Sequence, residues 1–172
     1  TEGLAFTEAV ERLAGEAGLA LPAATPGDRA QDDRRKTQHE VLEAAAAWYQ
    51  AQLSATIGRH ARDYVGERGL NAETVKTFRL GYAPDARTAF KDAMLARKID
   101  EQLLVDTGML IRPEDGGATY DRFRDRLMFP ITDAQGRIVG FGGRALGDAP
   151  AKYLNSPETN LFHKGRLLYN HN

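Results

Sequence analysis

The chain has 172 residues, of which 42% are hydrophobic and 27% charged, and its formal net charge is −1. These values are typical of a globular protein of about one domain, and the apolar runs are too short to cross a membrane. The absence of cysteine excludes disulfides and thiolate metal sites, and the four histidines lack the paired spacing of metal ligands. Since the N-terminus has neither a signal peptide nor an initiator Met, we expect a cytoplasmic protein and a chain cut from a longer one.

Residues 1–21 are predicted to contain an amphipathic helix that ends near Gly18, because apolar residues recur at spacings of three and four (Phe6, Val10, Leu13 and Ala17). This segment carries four acids and one arginine, a net charge of −3. Residues 22–33 combine proline, glycine and polar residues without periodicity, which predicts a flexible linker. The main domain is then expected to begin at residue 34.

Five helices are expected in the first part of this domain, over residues 34–53, 58–67, 71–77, 86–97 and 100–105. The first is the strongest prediction, because a run of alanines accompanies a wide apolar face (Val41, Leu42, Ala45, Trp48, Tyr49 and Leu53). Trp48 and Tyr49 could stack on bases, but their helical spacing favours packing in a core. Gly69 is a natural stop for the second helix, and Asn71 is a natural cap for the third.

Short strands are predicted over residues 78–84, 109–112, 119–120, 152–155 and 166–169. Two apolar runs, residues 127–131 and 138–141, are joined by Asp133-Ala-Gln-Gly136. The end residues of this connection are typical of a tight turn, so the two runs predict a β-hairpin. Helices first and strands later indicate an α+β fold, with a small antiparallel sheet around this hairpin in the C-terminal half.

Positive charge is concentrated from residue 120 to the C-terminus, where eight Lys or Arg residues are accompanied by five acids, a local net charge of +3. Arg122, Arg124 and Arg126 alternate in a segment that we expect to be extended, so their side chains should share one face. Their neighbours should point the other way: Asp121, Phe123 and Asp125. Such a row of guanidinium groups suits the phosphates of a nucleic-acid strand, and the alternative is an exposed face with scattered ion pairs.

Two further segments contain residues suited to phosphates and bases. Residues 140–144 read GFGGR, and glycines let a phosphate approach backbone N–H groups closely, but no strand–loop–helix pattern of a nucleotide-binding loop surrounds them. The alternative is that these glycines relieve crowding where the hairpin bends or bulges, with Arg144 held just beyond. Residues 152–159 (KYLNSPET) combine a cation, an aromatic ring, an amide and hydroxyls, although Ser156-Pro157 could equally cap a helical turn.

The sequence contains no recognisable catalytic constellation. There is no Asp-x-Asp beside a strand that ends in Glu, which paired Mg²⁺ ions would need, and there is no nucleophile elbow or His–carboxylate relay. We therefore expect binding rather than catalysis from these residues alone.

Several motifs, in this order, closely resemble bacterial replicative DNA primases of the DnaG type. They are residues 120–131 (YDRFRDRLMFPI), 136–144 (GRIVGFGGR), 152–159 (KYLNSPET) and 162–165 (FHKG), preceded by shorter matches at 61–64, 68–70, 78–84 and 108–110. The match is to the N-terminal subdomain of the RNA polymerase core and covers residues 34–172. Residues 1–21 then correspond to the region after the family's zinc-binding domain, and 22–33 to its tether.

This resemblance implies synthesis of short RNA primers on single-stranded DNA during replication in the bacterial cytoplasm. It further implies ribonucleoside triphosphates as substrates, a replicative helicase as partner of the full-length protein, and susceptibility to guanosine alarmones. By motif position, the residues that bind template and nucleotide would be Arg68, Arg122, Arg144, Lys152, Tyr153, Asn155 and Lys164. The Mg²⁺ or Mn²⁺ of the Toprim subdomain and the Zn²⁺ of the zinc-binding domain would be held elsewhere, so the chain alone is expected to be inactive.

Two other functions remain open at this stage. One is a non-catalytic module that binds single-stranded nucleic acid, and the other is a regulatory pocket for a free nucleotide or alarmone around Arg144, Lys152 and Asn155. A cation, a ring and an amide serve either ligand. We expect competition between nucleotide and oligonucleotide if the two share one site.

Overall fold

A computed structural model of the chain describes residues 26–163. The chain divides into two compact units, Thr1–Arg34 and Arg35–Asn172, and the features below lie in the second unit except for the first turns of the first helix. The predicted helix in residues 1–21 and the predicted strand at 166–169 lie outside the described residues. Within the described part of the chain, no helix is both long and apolar enough to cross a membrane.

The first half of the described chain is helical, and most of its helices match the predicted ones. They are α1 (Pro26–Ser54), a 3-10 turn (Thr56–Gly58), α2 (Arg59–Glu67), α3 (Ala72–Thr77), α4 (Ala89–Ala96) and α5 (Glu101–Asp106). Asn71 caps α3 as expected, because its Oδ1 accepts a hydrogen bond of 2.8 Å from the N–H of Thr74. Asp100 caps α5 in the same way through the N–H groups of Gln102 and Leu103.

The predicted flexible linker over residues 22–33 is wrong from Pro26 onward, because α1 begins there. Proline is well tolerated in the first turn of a helix, where its missing N–H leaves no hydrogen bond unmade. Residues 29–37 are exposed and mostly polar, so this part of α1 has no apolar stripe and resembles a linker in its composition.

The described part of the chain contains six strands in two antiparallel sheets; the first lies between α3 and α4 in sequence, and the other five follow α5. They are β1 (Gly81–Ala83), β2 (Leu110–Ile111), β3 (Tyr120–Asp121), β4 (Arg126–Thr132), β5 (Ile138–Ala145) and β6 (Tyr153–Asn155). The larger sheet has the order β1-β4-β5-β6, and β2 pairs with β3 in a separate sheet. The fold is therefore α+β, with the predicted hairpin of β4 and β5 at the centre of the larger sheet.

The hairpin turn forms as its end residues predicted. The Asp133 carboxylate accepts hydrogen bonds from the N–H groups of Gln135 and Arg137, and Gly136 adopts the left-handed φ of 76°. Burial raises the pKa of the Asp133 carboxyl, but the Arg137 N–H and guanidinium outweigh this effect, so the net pKa is lowered. The turn is thus fixed by side-chain to backbone bonds within five residues of sequence.

Two apolar clusters lie on opposite faces of β4, because neighbouring residues in a strand point in opposite directions. Met128 belongs to the larger cluster, where Trp48 and Tyr49 of α1 also lie. Trp48 and Tyr49 are 8% and 1% exposed, which confirms the prediction that they pack in the core. Leu127 belongs to a second cluster, formed with residues of α2 and β1.

The glycines of residues 140–144 lie within β5 and not in a loop, so the phosphate-loop alternative is wrong. The register of the hairpin shifts between Ile131 and Thr132, which places a bulge beside Gly140, but Gly142 and Gly143 pair in regular register. A Cβ on Gly143 would lie 2.9 Å from the Phe123 ring, so crowding from the core explains this glycine. The helical turn proposed after Ser156 is also absent; Ser156 is buried, and its Oγ accepts a bond of 3.0 Å from the N–H of Phe141.

Candidate nucleic-acid and nucleotide interface

One arginine of the candidate site is the C-cap residue of α2. Arg68 directly follows this helix, four residues after Tyr64, so the two side chains lie about one turn apart. The guanidinium carbon of Arg68 stands 5.3 Å from the centroid of the Tyr64 ring. This distance is within the range of a cation–π interaction.

A second arginine reaches the same ring from β5. The Arg144 guanidinium lies 5.0 Å from the centroid of Tyr64 and 5.5 Å from that of Tyr153. Arg144 and Tyr153 are directly paired across β5 and β6, and an Arg144 Nη donates a hydrogen bond of 2.9 Å to the Tyr153 hydroxyl. The fold therefore joins Tyr64, Arg68, Arg144 and Tyr153 in one group, which we call the Tyr64 cluster.

Two polar atoms of the Tyr64 cluster are buried and have no hydrogen-bond partner among the described residues. They are the Tyr64 hydroxyl and the Arg144 Nε. Buried polar groups are normally hydrogen-bonded, so an unpaired hydroxyl and an unpaired N–H in one cluster favour a ligand or water that completes them. Neither Arg68 nor Arg144 forms an ion pair with a carboxylate in the described part of the chain, so both positive charges remain available to an anion.

The remaining predicted residues border this cluster on β6. Lys152 is exposed immediately before the strand, and Asn155 is exposed at its end. Asn155 pairs with Gly142, and a Cβ on that glycine would lie 3.2 Å from the Asn155 Oδ1. Tyr153 is 64% exposed, which leaves one of its ring faces open to solvent or to a base. Lys164 lies outside the described residues.

A second tyrosine is flanked by two guanidinium groups. The Tyr120 ring has Arg87 at 4.4 Å and Arg124 at 5.5 Å from its centroid, and both arginines are exposed. We call these three residues the Tyr120 cluster. Tyr120 and Arg124 also line a cavity of about 450 Å³.

The predicted row of three arginines is correct only in part. All three line the cavity beside the Tyr120 cluster, but Asp125, expected on the opposite face, lines it too. The alternation fails because residues 122–125 are not in a strand and Asp125 has the left-handed φ of 47°. Arg126 is only 7% exposed, and its guanidinium donates to backbone carbonyls, so it is not free to bind phosphates.

Arg122 has a mixed role. Its Nε donates a hydrogen bond of 2.7 Å to the Gly108 carbonyl, and burial lowers the pKa of its guanidinium. One nitrogen is therefore used to hold the chain at Gly108, while the side chain still contributes to the wall of the cavity. Among the predicted site residues, Arg122 is the only one that the structure places away from the Tyr64 cluster, apart from Lys164, which it does not describe.

Asp121 fixes the backbone beneath the Tyr120 cluster. Its carboxylate accepts hydrogen bonds from the N–H groups of Phe90 and Lys91 in the first turn of α4. Burial raises the pKa of Asp121 to about 6, against the opposing effect of these two bonds, and the charge of Asp92 raises it further. We expected Asp121 on the face opposite the arginines, but no local pattern in the sequence indicated that its carboxyl is buried against α4.

Sequence reasoning missed three aromatic or basic residues that complete the two clusters: Tyr64, Arg87 and Tyr120. For Tyr64 a signal was present, since it stands one helical turn before Arg68. No group of three or more His, Cys, Asp or Glu side chains within residues 26–163 is arranged to hold a metal ion. The chemistry available to the described residues is therefore the binding of anions, through guanidinium and ammonium groups, and of planar rings.

Comparisons with known proteins identify this arrangement as part of a primase. The family model described as DNA primase catalytic core, N-terminal domain, matches residues 48–172. The DNA primase of Salmonella typhimurium is 43% identical over 168 residues, which cover 96% of this chain but 29% of that protein. The chain thus spans less than a third of the length of this relative.

Solved structures agree with this result. A structure of the DnaG primase catalytic domain bound to single-stranded DNA has a TM-score of 0.74 and 42% identity, covering 80% of this chain and 44% of that chain. The Aquifex aeolicus primase, solved with its zinc-binding and RNA polymerase domains, has a TM-score of 0.71 and 29% identity, covering 96% of this chain and 39% of that one. The chain belongs to the DNA primase family, and its residues 48–172 correspond to the N-terminal domain of the family's catalytic core.

Proposed function

We propose that this chain is part of a bacterial DNA primase that makes short RNA primers on single-stranded DNA, and that it supplies the surface for template and nucleotide. Family membership supports the activity of the whole protein, and the related catalytic domain bound to single-stranded DNA supports the ligand. The protein would act in the bacterial cytoplasm at the replication fork, with a replicative helicase as partner. The alternative is a non-catalytic module that binds single strands.

The assembly of the Tyr64 cluster carries this proposal. Arg68 and Arg144 are far apart in sequence, yet both guanidinium groups lie within 5.3 Å of the Tyr64 ring centroid and pair with no carboxylate of the described chain. Holding two like charges together is unfavourable unless an anion or a ring compensates them. Fixed guanidinium donors beside exposed Tyr153 and Lys152 provide the phosphate and stacking contacts that a single strand requires.

The β5–β6 loop, residues 146–152, connects the two clusters. Residues 147–150 line the cavity beside the Tyr120 cluster, and the loop then leads into Lys152 and Tyr153 beside Arg144. We infer that a single strand contacts both clusters along this loop, with Arg122 and Arg124 at the cavity. Phosphate contacts would position the strand, while Tyr153 and Asn155 would contact bases or sugars.

The metal ions of primer synthesis would be held outside the described residues. Residues 26–163 contain no cluster with the carboxylates that Mg²⁺ or Mn²⁺ prefers, and the chain has no cysteine to hold Zn²⁺. These residues therefore do not fit either metal. On this proposal the chain binds and orients nucleic acid and nucleotide, and without the metal-binding carboxylates it makes no primers.

Affinity for a single-stranded oligonucleotide tests the proposal directly. We expect Arg68→Ala to weaken binding by about tenfold to a hundredfold, since a hydrogen bond to a charged group contributes roughly 1.5–3 kcal/mol. Arg137→Ala is a matched control, because Arg137 is also exposed but is paired with Asp133 at the far end of β5. Equal affinities of the two variants, measured by fluorescence anisotropy, would contradict the proposed interface.

A regulatory pocket for a nucleotide or guanosine alarmone is a second candidate function of the same cluster. The unpartnered Arg144 Nε and Tyr64 hydroxyl favour it, because each of these groups can donate a hydrogen bond to an anionic ligand. We expect a guanosine tetraphosphate-type alarmone to displace the oligonucleotide competitively. Simultaneous binding without mutual effect would argue against a shared site.

A further inference from the structure

Arg126 is a buried arginine whose positive charge is stabilised by hydrogen bonds to backbone carbonyls. Its guanidinium donates to the carbonyls of Gly143 at 3.2 Å and Ala151 at 2.9 Å, and more weakly to that of Lys152 at 3.5 Å. Burying an unpaired charge is costly, so these carbonyl contacts are what makes the buried position tolerable. Two of the three carbonyls belong to the C-terminal end of the β5–β6 loop.

The preceding residue, Asp125, contacts the other end of the same loop. Its backbone carbonyl accepts a hydrogen bond of 3.1 Å from the N–H of Leu146. A Cβ on Gly147 would lie 2.9 Å from the Asp125 Oδ2, so the loop backbone passes directly against the carboxylate. Asp125 thus fixes the N-terminal end of the loop as Arg126 fixes its C-terminal end.

Asp125 is itself held by side chains from α2 and β1. Its Oδ1 accepts a hydrogen bond of 3.2 Å from the Tyr82 hydroxyl and lies 3.0 Å from the Nε2 of His60. His60 belongs to α2, the helix that also carries Tyr64 and is capped at its C-terminus by Arg68. These contacts compensate the left-handed backbone of Asp125, which is unfavourable for a residue other than glycine.

We propose that Asp125 and Arg126 are positioning residues that clamp the β5–β6 loop at both ends and so position Lys152, which directly precedes Tyr153, the strand partner of Arg144. Residues 147–152 are exposed and have no secondary structure of their own apart from the bond between Ala145 N–H and Lys152 carbonyl, 2.9 Å long. An unclamped loop would have to be ordered by its ligand, which weakens binding. This inference rests on the proposed function for its binding readout, but the clamp itself can be measured without a ligand.

The salt dependence of oligonucleotide binding by the purified protein tests the clamp. Arg126→Lys keeps the net charge but cannot reach several carbonyls with a planar donor fork. If Arg126 acts through Lys152, the slope of log affinity against log salt should fall by about one unit in Arg126→Lys, as in Lys152→Ala. The salt slope of the variant that combines Arg126→Lys with Lys152→Ala should then fall no further than the slope of either single variant. Arg137→Lys should keep the wild-type slope. Additive losses would overturn the proposal.

A second variant covers the case in which Arg126→Lys does not fold. Gly147→Val adds bulk at an exposed position where a Cβ would lie 2.9 Å from the Asp125 Oδ2, so it should break the contact between this carboxylate and the loop by displacing one or the other, without disturbing the core. It should lower the slope by about one unit as well. A wild-type slope in Gly147→Val would contradict the clamp.

Hydrogen exchange separates a failure of the clamp from a failure of the proposed function. In Arg126→Lys or Gly147→Val, the amides of Ala145 and Leu146 should exchange about tenfold faster or more, since both bond across the loop ends. The amide of Asp133, which bonds the Arg137 carbonyl at the other end of the hairpin, should be unchanged. This result would support the clamp even if the wild type bound no oligonucleotide. Unchanged exchange at Ala145 and Leu146 would overturn it.

Discussion

The Tyr64 cluster and the Tyr120 cluster contain the same types of side chain but differ in the groups that surround them. In each, one tyrosine ring lies between two guanidinium groups at 4.4 to 5.5 Å from its centroid. The Tyr64 cluster joins a helix to a strand and has two buried polar atoms without described partners. The Tyr120 cluster lies beside a cavity that Asp85, Asp125 and Asp148 also line, so its positive charge is offset. A pair of arginines on a ring therefore does not by itself define an anion site, because nearby carboxylates decide how strongly the site attracts an anion.

The free energy of unfolding should depend on pH through Asp121, whose carboxylate holds the backbone next to the Tyr120 cluster. The pKa of this carboxyl is raised to about 6 in the folded protein, so between pH 4 and 6 the folded state holds a proton that the unfolded state has lost. The free energy of unfolding should therefore fall as pH rises through this window, by up to about 3 kcal/mol relative to Asp121→Asn.

Denaturant titrations of wild type and Asp121→Asn at pH 4.5 and pH 7 would measure this change. The variant keeps a carbonyl oxygen for the cap of α4 but cannot ionise. A stability difference that is the same at both pH values would mean that Asp121 does not titrate in this range.

Binding should depend less on the Tyr120 cluster than on the Tyr64 cluster. We expect Arg124→Ala to weaken oligonucleotide affinity about threefold, because carboxylates beside the cavity oppose phosphates. Arg68→Ala, with no described carboxylate paired to the lost charge, should have the larger effect. Anisotropy titrations of both variants under one salt condition would reveal the order, and a larger loss in Arg124→Ala would reverse the comparison.

The Tyr64 hydroxyl should lower the free energy of unfolding and raise the affinity for a ligand. Tyr64→Phe removes a buried polar atom that has no partner among the described residues, so the free energy of unfolding should rise slightly, by up to about 1 kcal/mol. Nucleotide affinity should fall about threefold if the ligand uses this hydroxyl. Tyr153→Phe serves as the contrast, since the Tyr153 hydroxyl already accepts a bond from Arg144 and its loss should not stabilise. A stability loss in Tyr64→Phe would indicate that the hydroxyl is already satisfied.

Local features of the fold could be predicted because neighbouring residues determine them. The cap at Asn71 and the turn from Asp133 to Gly136 each depend on hydrogen bonds within a few residues of sequence. The start of α1 could not, because its exposed polar residues have the composition of a linker and show no apolar period. These residues could not be recognised as helical from their own sequence, because the apolar face of α1 lies in the later part of the helix.

The candidate site was predictable in its residues but not in its geometry. Motif resemblance indicated Arg68 and Arg144, yet no pattern in the sequence indicates that they share the Tyr64 ring, because that contact depends on how α2 packs against the sheet. The alternation of arginines failed for a related reason. A left-handed Asp125, stabilised by His60 from a distant helix, turns Arg126 into the interior, and such long-range contacts leave no local signature.

The salt dependence of single-strand binding, measured for wild type beside an Arg144→Ala and Lys152→Ala double variant, tests the assignment of the interface most directly. If Lys152 and Arg144 each contact a phosphate, the wild-type slope should be steep and should flatten by about 1.4 units in the double variant, at any oligonucleotide sequence. An unchanged slope would contradict the account, because the Tyr64 cluster would then not contact the template strand.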